Sequence, residues 1–112
     1  MANEKSQTEV TLTRRGDVAT IRFVPVAGVN IFSSRVVGAL GTVVERVAAD
    51  PHLRFVVFRG GGRVFLAGAD IAEMQRFNED QGRAFAAHGH HVFNAIEALP
   101  QVTIAALNGH AM

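Results

Sequence analysis

Two kinds of hydrophobic pattern alternate along the chain, and that alternation constrains its fold more than any other feature. Residues 18–23, 55–58 and 102–107 are short runs rich in β-branched or aromatic side chains, the mark of strands. Between the first two runs, Val36, Val37, Leu40, Val44 and Val47 recur at helical spacing. Between the last two, Phe85, Val92, Phe93, Ile96 and Leu99 fall on one helical face. Strands alternating with helices favour an α/β architecture. Residues 55–58 are continuously apolar, which reads as a strand buried on both faces, and residues 102–107 read as another buried strand.

Local signals punctuate this order. Residues 9–14 alternate polar and apolar, and Arg15-Gly16-Asp17 is a turn, so the N-terminal region reads as a β-hairpin. Pro25 and Gly28 mark a loop. Ser33 or Ser34 caps the first helix, and Asp50-Pro51 ends it. A glycine loop, 60–63, leads to a short extended piece at 64–66. Asp70 followed by Glu73 resembles a capping box for a short helix running to about Phe77. A longer helix is expected over 80–99, stopped by Pro100, and Asn108-Gly109 is a turn. The expected order is β-β-α-β-α-α-β, with residues 1–8 a flexible tail and 9–112 the folded part. No repeat at fixed period and no low-complexity segment interrupts it.

Composition closes off several function classes. The 112 residues hold no cysteine, which removes disulfides, thiolate metal sites and a cysteine nucleophile. The formal net charge of +1 gives no field to steer nucleic acid or an acidic membrane. No apolar run approaches the roughly 20 residues of a membrane span. The first ten residues are polar and lack the apolar core of a signal peptide, so a cytoplasmic location is expected. The chain closes on an apolar stretch, 103–112, with no polar tail, which suggests a fragment.

The densest chemical signal lies between Gly60 and Met74. Gly68 can take positive φ or admit a ligand, and Ala67 and Ala69 leave the backbone uncovered. A turn of this kind before a helix can bind a phosphate or aim a backbone N–H at a developing oxyanion. It can equally be a tight strand-to-helix turn with a good cap, and both readings stand. A phosphate loop fails for want of a nearby lysine, and a dinucleotide fingerprint fails because Phe65 occupies the third glycine position. His88 and His91 share a helical face with His90 beside them, but their spacing matches no zinc pattern. His52 and His110 stand alone, and Ser33 and Ser34 read as caps rather than nucleophiles. Glu73 reads most simply as the capping partner of Asp70.

Residues 65–74, Phe-Leu-Ala-Gly-Ala-Asp-Ile-Ala-Glu-Met, closely resemble the first signature of the enoyl-CoA hydratase/isomerase (crotonase) superfamily. Residues 104–111, Ile-Ala-Ala-Leu-Asn-Gly-His-Ala, resemble its second signature, in the right order and at the right distance. Asn30 resembles the family's Asn-Ala-Leu position, and Gly60 to Arg63 its glycine turn. The resemblance implies a crotonase-like (ClpP/crotonase) fold, a ββα superhelix, of which this chain is the N-terminal part. It also implies a lyase or isomerase of acyl-CoA metabolism, such as fatty acid metabolism, most simply an enoyl-CoA hydratase adding water to a 2-enoyl-CoA. Other family activities, namely isomerase, dehydratase or hydrolase, and a truncated non-catalytic CoA-binding or partner module, are the alternatives.

By that resemblance the backbone N–H of Ala69 is one oxyanion-hole donor. Ala67, Gly68, Asp70 and Ile71, with Val29, Asn30 and Ile31 of the earlier loop, would hold the CoA moiety. No metal and no cofactor beyond that moiety is implied, and the full-length family member would be a homotrimer or hexamer. The sequence departs from the pattern at Ile31-Phe32, where Ala-Leu is usual, and at Val102, where many members have proline. It stops at Met112, ahead of the family's glycine triplet and catalytic glutamates. The 112 residues alone are therefore expected to be inactive, with an exposed apolar patch on the last strand.

Overall fold

The computed structural model describes residues 6–112. Residues 1–5 of the expected tail lie outside the described residues. The tail ends sooner than expected, because Gln7 and Thr8 already belong to the first strand, β1 (Gln7–Arg15). Gly16, at φ 62°, turns the chain into β2 (Val18–Ala27), and the two strands pair antiparallel as the expected hairpin.

Helix α1 (Ser34–Ala48) starts where Ser33 caps it, its hydroxyl accepting from the Val36 N–H. Val36, Val37, Leu40, Val43, Val44 and Val47 are buried along one face, matching the apolar spacing. Strand β3 (Phe55–Gly60) then pairs parallel to β2, and β5 (Val102–Ala106) pairs parallel to β3. The four-stranded sheet has the order β1-β2-β3-β5. β4 (Val64–Leu66) and β6 (His110–Ala111) form a separate two-stranded parallel sheet. Between β4 and β5 lie the single-turn helix α2 (Ile71–Met74) and α3 (Glu79–Glu97). Among the described residues no helix is long and apolar enough to cross a membrane.

One core joins these layers. Ala19, Ile21 and Phe23 of β2 and Val56 and Phe58 of β3 face α1, and Val92 of α3 closes the cluster. Burying each of the larger aliphatic side chains contributes about 1.5–3 kcal/mol. Gly41 lets α1 and α3 approach closely, since a Cβ there would sit 3.1 Å from Val92.

Three expectations are corrected. β3 is buried on one face only: Val56 and Phe58 point into the core, while Phe55 and Val57 are half-buried. The reason is that the helices cover a single side of the sheet. β5, at one edge of the sheet, is exposed along its whole length, with Val102 at 57% and Ile104 at 44%, because among the described residues nothing covers either of its faces. With Leu107 at 61% this makes the apolar patch expected of the last strand. Finally, α2 stops at Met74 rather than Phe77, and α3 starts at Glu79 because Asn78 and Gln81 form a reciprocal capping box.

Candidate functional site

The small sheet and the loop after β2 bring the two groups of expected site residues together. Asn30 O accepts from the Ala67 N–H at 2.8 Å, the Phe32 N–H donates to Gly68 O at 2.8 Å, and the Asp70 N–H donates to Phe32 O at 2.8 Å. Residues 30–32 and 67–70 thus run side by side as a short parallel ladder, with Phe32 bridged to Ala69. In a parallel bridge one residue, here Phe32, spends its N–H and C=O on the two neighbours of its partner, and the partner, Ala69, turns its own groups away. Among the described residues no backbone acceptor takes the Ala69 N–H. Ala69 is also exposed, and its methyl group covers little of that N–H.

Gly68 makes this arrangement possible. Its φ of 103° is a conformation that L side chains rarely adopt. Asp70 then caps α2, with Oδ1 accepting from the Glu73 N–H at 3.2 Å. The capping box is only half formed. Instead of reaching back to Asp70, Glu73 Oε1 accepts from the Ser34 N–H at 2.9 Å and ties the turn to the start of α1. The competing donor wins because the first N–H groups of α1 lack partners within their own helix. With α2 a single turn long, its dipole adds little, and the donor at this site is the Ala69 N–H itself.

The other expected residues are placed as follows. Asn30 is fully buried, and its side chain points inward rather than along a surface. The Val29 N–H donates to Ser6 Oγ, and the Val29 side chain is 42% exposed. The Ile31 N–H donates to Thr8 Oγ1 at 2.9 Å. Ile71 is exposed, while Ala67 and Gly68 are half-buried. Sequence reasoning missed the buried Thr8 hydroxyl, the cross-tie from Glu73 and the bracing by Asn108. Nothing in their local sequence signals a partner more than twenty residues away.

An apolar cavity of about 200 Å³, lined by Phe23, Phe32, Leu66, Phe93 and Ile96 among others, includes no residue of the 67–70 turn. Phe32 meets Phe23 and Phe93 edge to face, with centroids 5.8 and 5.5 Å apart. Phe32 therefore belongs both to the ladder and to the cavity wall. Larger hollows beside Pro100 and over Arg22 involve no residue of the turn. His88, His90 and His91 are exposed on α3. The chemistry available at the turn is hydrogen-bond donation to a partial negative charge.

Residues 13–112 match the family described as Enoyl-CoA hydratase/isomerase. The chain is 34% identical over 104 residues to a short-chain enoyl-CoA hydratase of Clostridium acetobutylicum, covering 92% of this chain and 40% of that protein. It is 43% identical over 70 residues to a crotonyl-CoA hydratase of Syntrophomonas wolfei, covering 62% of this chain and 27% of that one. An enoyl-CoA hydratase structure from Bacillus anthracis superposes with TM-score 0.79 at 27% identity, covering 89% of this chain and 40% of that chain. An enoyl-CoA hydratase/carnithine racemase from Magnetospirillum magneticum gives TM-score 0.83 at 28% identity, covering 91% and 40%. The chain spans at most about 40% of the length of these relatives.

Proposed function

The chain belongs to the enoyl-CoA hydratase/isomerase family, and on that premise we propose that it binds 2-enoyl-CoA thioesters and polarises their carbonyl for the addition of water. The observation that carries this reading is the Ala69 N–H, turned out of the ladder and, among the described residues, without a backbone acceptor. A thioester carbonyl gains negative charge as its β-carbon is attacked. A donor already aimed at that oxygen stabilises the enolate without reorganising, and such a donor lowers the barrier by about 3 kcal/mol. Ala67, Gly68, Asp70 and Ile71 would hold the CoA moiety through backbone groups, with Val29 and Ile31 beside them. Asn30, fully buried and with its carbonyl on the Ala67 N–H, would support the turn from within rather than touch the ligand. No cofactor beyond the CoA moiety is part of the proposal.

Adding water also requires an acid and a base. One oxygen of Asp70 and one of Glu73 are already committed to backbone N–H groups. That observation favours a second reading, in which these residues bind and polarise an acyl-CoA but do not hydrate it. The proposal further includes a cytoplasmic setting and assembly as a homotrimer or hexamer.

The test is the infrared carbonyl stretch of butyryl-CoA labelled with ¹³C at the thioester carbon. Binding to the chain should lower the frequency, and Ala69→Pro, which has no N–H, should bind without lowering it. An unshifted carbonyl in the wild-type complex overturns the reading. Crotonyl-CoA, followed by loss of its enoyl absorbance, should bind to these 112 residues without turnover; turnover by them overturns the second reading and the expectation that they are inactive alone.

A further inference from the structure

We propose that Asn30 is a positioning residue whose buried side-chain amide sets the direction of the Ala69 N–H. The inference rests on the reading of that N–H as the carbonyl donor. Asn30 Nδ2 donates to Phe23 O at 2.9 Å, to Gly61 O at 3.3 Å and to Val64 O at 3.2 Å. These carbonyls lie on β2, in the glycine turn and at the first residue of β4. The main-chain oxygen of the same residue accepts from the Ala67 N–H, immediately after β4. One residue therefore holds β4 at both ends.

With Val64 and Ala67 held by Asn30, and Gly68 O held by the Phe32 N–H, little freedom remains for the peptide that carries the Ala69 N–H. The two N–H groups of the amide are shared among these three carbonyls; its release would free the start of β4 and remove a donor from Gly61 O and Val64 O, while Phe23 O would keep the Gly61 N–H. Asn108 braces the same glycine turn from the other side. Its Oδ1 accepts from the Gly60 N–H at 3.0 Å, and its Nδ2 donates to Gly62 O at 2.8 Å. It is exposed, and neither of these bonds reaches β4 or residues 30–32, which makes it the internal control.

The test compares wild type, Asn30→Ser, Asn30→Asp and Asn108→Ala by amide hydrogen exchange on the 112-residue chain and by the carbonyl stretch of bound butyryl-CoA. In Asn30→Ser, protection at the Phe32, Ala67 and Asp70 N–H groups should fall at least about tenfold, with Val44 and Val92 unchanged. The carbonyl shift should shrink in step. Asn108→Ala should keep both the ladder protection and the shift. In Asn30→Asp the neutral acid can donate one O–H and the ionised form none. Ladder protection should therefore be high in acid and fall as the carboxyl ionises, at a pH above the ordinary carboxylate range because burial disfavours the charge.

Unchanged ladder protection in Asn30→Ser overturns the proposal, as does a full carbonyl shift once that protection is lost. If Asn30→Ser loses protection everywhere, Asn30→Asp decides: a pH-independent ladder overturns the proposal, and a pH-dependent one supports it. An unshifted carbonyl in wild type overturns instead the reading of Ala69, and the exchange data tell the two failures apart.

Discussion

Replacing Gly68 with alanine isolates the backbone conformation on which the turn depends. The site has room for the methyl group, since the nearest heavy atom to a Cβ there is Met112 O at 4.0 Å. The whole cost therefore comes from holding a non-glycine residue at φ 103°. Backbone strain of that kind costs about 1–3 kcal/mol. Alanine also restricts the unfolded chain, which offsets about 0.4–1 kcal/mol. The net loss should be about 1–2 kcal/mol, a Tm lower by roughly 4–15 °C for a domain of this size. Gly89, inside α3 with nothing within 4 Å of its Cβ, is the matched control. Alanine there should stabilise by about 0.5–1 kcal/mol, because helical glycine carries only the entropic cost. Differential scanning calorimetry reads both changes. If the turn relieves its strain by rotating toward negative φ, the Ala69 N–H swings with it and the carbonyl shift of bound butyryl-CoA collapses. A Gly68→Ala protein as stable as wild type and showing the full carbonyl shift would refute the claim that this φ aims the donor.

Other substitutions probe the supports around the site. Leu40→Ala removes a side chain that is 1% exposed and should cost about 2–5 kcal/mol in a urea titration. Glu73→Ala leaves the Ser34 N–H without its acceptor and should cost about 0.5–2 kcal/mol, whereas Glu73→Gln, whose amide oxygen can still accept, should recover most of it. The His52 backbone N–H, together with Arg14, holds the Asp50 carboxyl below its usual value of 3.8. A carboxyl whose pKa is lowered on folding stabilises the fold above its unfolded value, and that contribution is lost as pH falls through the folded one. The stability difference between wild type and Asp50→Asn should therefore be constant near neutrality and close below about pH 3.8. Thermal melts across that range measure it.

The relation between sequence and structure differs from element to element. The Ser33 and Asp70 caps and the turn at Gly16 were legible because donor, acceptor and turn residue lie within four positions of one another. The apolar face of α1 was legible because a helix puts a fixed period into its own sequence. The burial of residues 55–58 and 102–107 was not, since an apolar strand carries no record of how many of its faces are covered. Asp70 and Glu73 have the spacing of a capping box, yet the stronger claim on the Glu73 carboxylate came from Ser34, 39 residues away.

By itself the sequence determined the alternation of strands and helices, the inward face of α1, and the small-residue turn at 67–69 that the first family signature singles out. Only the tertiary structure decided that residues 30–32 lie along that turn, that Asn30 faces inward, and that the Ala69 N–H has no backbone partner among the described residues. The physical reason is the range of the interactions. Caps and periodicity arise from neighbours in the chain. The ladder joins Phe32 to Gly68 and Asp70, and Asn30 reaches Val64 across 34 residues, contacts that exist only once the sheet has formed.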